Sequence, residues 1–146
     1  NDDSDVPTGI AENDLLALIF NATAIANLAD NAATAPLTSL YLALHTADPG
    51  EAGNQSTNEC AYTGYARAAV ARSGAGFTVS GNQVSLAADV SFPEATGGSE
   101  TATHFSVGVA ASGATKRLYK GTVTPTVAIS SGVAPKLTTG TTITED

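Results

Sequence analysis

Two periodicities divide the chain. Between residue 12 and about residue 30, apolar side chains recur at helical spacing: Leu15, Leu18, Ile19, Ala22, Ile25 and Ala26 fall at i, i+3, i+4 and i+7. Leu16 and Phe20 broaden that stripe, so the helix is expected to bury a wide face. Asn13 and Asp14 offer short polar side chains to the free N–H groups of a first turn, and Asn27, Asp30, Asn31 and Pro36 end it. From Thr38 onward the period falls to two. Leu40, Leu42 and Leu44 alternate with Tyr41, Ala43 and His45 until Asp48-Pro49-Gly50 stops the run. From Tyr65 to Ala71 the run continues with mostly small residues. Phe77 and Val79 lead to a turn at Ser80-Gly81-Asn82, and Val84, Leu86, Ala88, Val90 and Phe92 make one long alternating set that Pro93 stops. Thr103, Phe105, Val107 and Val109 precede a turn at Ser112-Gly113. Tyr119, Gly121 and Val123 follow, then Val127 and Ile129 before Ser130-Ser131-Gly132, and finally Leu137, Thr139, Thr141 and Ile143.

The pattern predicts a mainly β protein with seven to nine short strands, rich in Thr and Val, and one N-terminal α-helix. An antiparallel β-sandwich or jelly roll fits it, as a single domain over residues 10–146. Residues 1–9 are acidic and contain Pro7 and Gly9, and are expected to form a flexible arm that can order on a partner. The longest aperiodic stretch is 47–63. Loops of that length without secondary structure are often functional. This one is expected to reach from the Leu40 strand to a neighbouring subunit, so that deleting 51–58 would leave a folded domain.

Composition sharpens this picture. The chain has 146 residues, which makes one domain the default. Its core material is thin, with no Trp, no Met, four Phe and four Tyr, and a 42% hydrophobic content carried largely by Ala. Large side chains supply most burial energy, so such a chain is expected to gain stability against other chains. The net charge is −8, with Arg67, Arg72, Lys116, Arg117, Lys120 and Lys136 the only cations, and this argues against direct nucleic-acid binding. One cysteine, Cys60, forbids an intrachain disulfide. No apolar run approaches the ~18 residues of a membrane helix.

Candidate chemistry is sparse. His45 and His104 are the only histidines. Each alternates with its strand's apolar residues, so both are expected to point outward. A two-histidine metal site would need further ligands, since zinc takes four. Asp2-Asp3-Ser4-Asp5 starts like a calcium loop, but Pro7 and Thr8 stand where a ligand and a glycine are required. No serine lies in a G-x-S-x-G elbow, and Cys60 has no basic neighbour in sequence to make a thiolate. Residues 74–79 lack the third glycine of a phosphate loop. The reading is therefore no enzyme, with no catalytic, cofactor-binding or metal residues, no cofactor and no small-molecule substrate. What remains is a contact surface, with Asp48, Pro49, Gly50, Glu51 and Asn54 of the long loop as candidates. Arg67 and Arg72 join them. Five apart on a strand, they would face opposite ways, and Arg suits interface carboxylates.

Four stretches, "LTSLYLALHTADPGEAG", "AYTGYARAAVARS", "VSFPEATGGSETATHFSVG" and "LYKGTVTP", resemble a group of small virion proteins of tailed bacteriophages and prophages. The resemblance runs from the helix to the C-terminal "LTTGTTITED" and rests on structural motifs. It implies a structural component of the particle, made in the bacterial cytoplasm. A capsid decoration or cement protein is the favoured form, a homo-oligomer on the outer surface of the head that binds and reinforces the major capsid protein lattice. A tail or fibre-associated subunit is the alternative, and an extracellular adhesin a more distant one. Neither DNA nor membrane is an expected partner.

Overall fold

A computed structural model describes residues 10–25, 28–29 and 35–144. The chain is mainly β and antiparallel, with one helix near its N-terminus. In chain order the elements are α1 (Ile10–Asn21), β1 (Ser39–His45), β2 (Ala68–Ala71), β3 (Phe77–Ser80), β4 (Gln83–Leu86), β5 (Val90–Ser91), β6 (Ser99–Gly108), β7 (Arg117–Ser130), β8 (Lys136–Leu137) and β9 (Thr142–Thr144). Among the described residues the strands form three sheets, ordered β2-β1-β6-β7, β3-β4-β9 and β5-β8. The expected arm, residues 1–9, lies outside the described residues.

The chain folds into two compact units. The first takes residues 1–38, 71–88 and 138–146. Its helix is shorter than the 12–30 the periodicity predicts, and residues 26–27 and 30 of that span lie outside the described residues. The helix stops at Asn21 because Ala22 turns left-handed at φ 55, and the Thr23 N–H folds back onto the Ala17 carbonyl at 3.0 Å. Among its described side chains Leu16 and Phe20 of the broadened stripe, one turn apart, are fully buried, Leu18 and Ile19 are half-buried, and Leu15 is exposed. Phe20 meets Phe77 of β3 edge-on, with ring centroids 4.8 Å apart. β3 and β4 form the hairpin the turn residues predicted. Ser80 pairs with Gln83 across Gly81-Asn82, and Gly81 supplies the positive φ that a two-residue turn demands. Val84 of β4 then pairs with Ile143 of β9. The long alternating set at 84–92 is broken in the structure: Ala87, Ala88 and Asp89 are exposed, and β4 and β5 belong to different units.

The second unit takes residues 39–70 and 89–137. β1 runs antiparallel to β6, with Leu42 opposite Val107 and Leu44 opposite Phe105. These four side chains and Leu40 are buried on one face. Tyr65 stacks on Phe92 at 6.5 Å and meets Tyr62 edge-on at 5.4 Å. β6 and β7 form a long hairpin with one large interruption. His104 pairs with Thr122 and Ala102 with Val127, so residues 123–126 bulge out opposite Thr103 alone. Val123 points inward, while Thr124, Pro125 and Thr126 are exposed. Among the described residues β7 is one of the two outer strands of its sheet, with β2 the other.

Candidate functional site

The opposite face of the β1–β6 pair carries the chain's polar chemistry. Register places Tyr41 opposite Gly108, Ala43 opposite Ser106 and His45 opposite His104. The alternation predicts that this face meets solvent. Instead Ala43, His45 and Ser106 are all 0% exposed. Residues 46–60 fold back and roof it over. The Thr46 N–H donates to the Asn58 carbonyl at 2.8 Å and the Cys60 N–H to the Leu44 carbonyl at 2.8 Å, which closes the loop beside the end of β1.

His45 sits at the centre of that roof. Its Nδ1 lies 2.8 Å from the Thr57 carbonyl, which only accepts, so Nδ1 carries the proton. Nε2 lies 2.7 Å from Ser106 Oγ and accepts the hydroxyl proton. Burial holds the imidazole below its ordinary value of 6.5, against a raising contribution from the Thr57 carbonyl. A serine hydroxyl on a histidine nitrogen is also the pairing of a nucleophile with its base. Here both groups are buried beneath the loop, and Gln55 Nε2 lies over Ser106 Oγ at 3.5 Å. The pair therefore acts as a fastener. His104, expected outside, is half-buried with Nδ1 2.9 Å from Thr103 Oγ1. Among the described residues no group of three or more His, Cys, Asp or Glu is placed to hold a metal ion.

Arg67 ties the roof down. Its Nε donates to Glu59 Oε2 at 2.7 Å and its Nη2 to Glu59 Oε1 at 2.9 Å, the two-pronged geometry a guanidinium offers a carboxylate. Nη2 also donates to the Gly113 carbonyl at 2.7 Å, and Nη1 to the Ala110 carbonyl at 3.0 Å, so the loop is bolted to the β6–β7 turn. Tyr65 Oη gives Glu59 a third donor at 2.7 Å and accepts the Leu44 N–H at 3.2 Å. The Glu59 bond raises the Arg67 pKa, and burial ahead of the Glu59 bond raises that of Tyr65. Gln55 is 0% exposed, its Nε2 on the Tyr41 carbonyl at 3.0 Å and its Oε1 3.3 Å from Arg67 Nη1. Gly108 makes room for it, since a Cβ there would lie 2.0 Å from Gln55 Cδ.

The outer rim of the loop holds the remaining candidates. Asp48 is exposed, its Oδ1 accepting the Gly50 N–H at 2.8 Å and meeting Lys120 Nζ of β7 at 3.1 Å. The Gly50 N–H, then Lys120, lowers its pKa. Glu51, almost fully exposed, lies 3.4 Å from the same Lys120. Pro49 is buried, and Arg117 donates to the Gly50 carbonyl at 2.6 Å. Asn54 is half-buried and closes a local turn through the Ser56 N–H at 2.8 Å. Arg67 and Arg72 flank β2 and lie in different units. Arg72 Nε and Nη2 reach the Ile19 and Leu18 carbonyls, which the end of α1 leaves without helical partners, and Nη1 reaches the Leu37 carbonyl at 3.1 Å. Both arginines are committed within their own chain. Of the residues expected at a partner contact, Asp48 and Glu51 present exposed side chains.

Sequence reasoning missed Gln55, Glu59, Tyr65 and Ser106, and aimed His45 outward. One signal was available. From Ser39 to His45 neither face of β1 carries a charge, nor does β6 from Thr101 to Gly108. A solvent face is expected to carry some.

A family model described as "Podophage GP4 fiber I protein gp80" matches residues 8–144. No curated protein matches the chain.

Proposed function

Starting from the fact that the chain belongs to the podophage GP4 fiber I protein gp80 family, we propose that it is a non-catalytic, fibre-associated structural subunit of a podophage particle. Membership makes it a structural virion protein of a tailed phage, as the resemblance implied. The family description supports the fibre alternative over the capsid-decoration reading, so the head surface and the major capsid lattice give way to the tail apparatus as the proposed site. The match over residues 8–144 carries this conclusion.

The geometry agrees with a structural role. The polar groups under the loop are spent holding 46–60 on its own sheet. What the loop offers a partner is its outer surface, around Asp48 and Glu51. The proposed partners are other fibre or tail polypeptides and further copies of this chain.

Immunogold labelling of intact particles with antibody to this chain tests the placement. Gold confined to the tail and its fibres is the expected result, and gold spread over the head overturns it. A Glu51→Lys variant tests the contact surface. It should fold normally and enter particles less often than wild type, whereas equal incorporation removes this rim from the interface.

A further inference from the structure

We propose that His45 is a proton-operated latch, and that a second proton on its imidazole releases residues 46–60 from the sheet they cover. The argument starts from hydrogen-bond arithmetic. The neutral ring satisfies both neighbours, donating from Nδ1 to the Thr57 carbonyl and accepting at Nε2 from Ser106. A proton arriving at Nε2 turns that acceptor into a donor facing the Ser106 oxygen. The hydroxyl must rotate away, yet its other neighbour, Gln55 Nε2, is also a donor. A buried hydroxyl hydrogen is left without a protein acceptor, which is costly beneath the loop.

The charge is equally badly placed. The groups facing the ring are Glu59 from the loop, Arg67 from ahead of β2, Arg117 from β7 and, as its register partner on β6, His104. Two of these are guanidinium cations. The one anion, Glu59, already accepts from Arg67 twice and from Tyr65. Asp48 lies beside His104, farther along the rim. An imidazolium at this point gains little, and opening the loop hydrates it. The segment that moves carries Asp48 and Glu51, so release would rearrange the outer surface and uncover the polar face of β1 and β6.

Amide exchange on the intact protein tests this. The Gln55 N–H bonds the Thr115 carbonyl and the Cys60 N–H the Leu44 carbonyl, so both report loop opening. After correction for intrinsic exchange, opening at these two amides should rise about tenfold per pH unit as pH falls below 6.5, the ordinary value the ring regains once the loop is open, the slope of one coupled proton. The β6 amides of Phe105 and Val107 should not follow. In His45→Gln the slope should vanish above about pH 5, where carboxylates still hold their charge. The same slope in His45→Gln overturns the latch. If that variant fails to fold, the imidazole resonances of the wild type decide. Titration at the midpoint of loop opening supports the latch, and a ring still neutral when the loop is open disproves it.

Discussion

Arg67 and Glu59 face each other at 2.7 Å with side chains only 2% and 16% exposed, and every nitrogen of the guanidinium donates to the loop or to the β6–β7 turn. Removing one member strands the other away from water. Arg67→Met should therefore destabilise the protein by about 3–5 kcal/mol, the range for breaking a buried pair. Arg67→Met with Glu59→Gln should cost less than the single change. Urea unfolding of the three proteins measures both effects, and a single variant within about 1 kcal/mol of wild type would contradict the buried clamp.

Gly108 and Gln55 form a second coupled pair. A methyl group at Gly108 collides with the Gln55 side chain, whose own partners are the Tyr41 carbonyl and Arg67. Gly108→Ala should cost about 1–3 kcal/mol, as overpacking does. Gln55→Ala in the same chain should recover part of that loss. Strict additivity in a double-mutant cycle would show that the two never meet.

Deleting residues 51–58 removes Gln55 and Thr57 and exposes His45 and Ser106. The expectation from sequence was a folded domain lacking only its contact loop. The structure predicts a substantial fall in the thermal midpoint instead. A circular-dichroism melt unchanged by the deletion would restore the simpler idea of a dispensable loop.

Arg72 supplies donors to the last carbonyls of α1 from the strand side of its unit. Arg72→Ala should leave them unsatisfied at about 1–3 kcal/mol. Amide exchange in the final turn of α1 should quicken, with that of β6 unchanged. Unaltered exchange in α1 would mean that solvent replaces the guanidinium at no cost.

Cys60 is 3% exposed, and burial, reinforced by the Glu100 carboxylate, pushes its thiol up to about 12. At neutral pH the folded protein should hold roughly a thousandfold less thiolate than an ordinary cysteine. Iodoacetamide should label it slowly until denaturant is added. Fast labelling of the native protein would place the sulfur outside.

Much of the fold was legible because period two survives wherever one sheet face is apolar. Leu40, Leu42 and Leu44 share a face, as read, and Ser80-Gly81-Asn82 turns a hairpin whose Gly81 φ is a local requirement. The helix was legible in kind and in the burial of Leu16 and Phe20, and misread in length and at Leu15. Its end depends on Ala22 turning left-handed and on Arg72, more than fifty residues away, and neither has a local signature. The same limit applies to the unit assembled from 1–38, 71–88 and 138–146, since strand pairing across such separations leaves no periodic trace. His45 was misplaced for a related reason. Alternation identifies which residues share a face, and whether the next loop folds back over that face depends on Gln55, Glu59 and Arg67 acting together.

The hump at residues 123–126 has a bearing on how copies can associate. Pro125 brings no amide hydrogen to this edge of the sheet, and the flanking threonines are exposed there. Copies that met along this border would be denied continuous backbone zipping, the usual road to unregulated ribbons. Any union there would be made by side chains, which encode a particular partner where bare peptide groups would accept any.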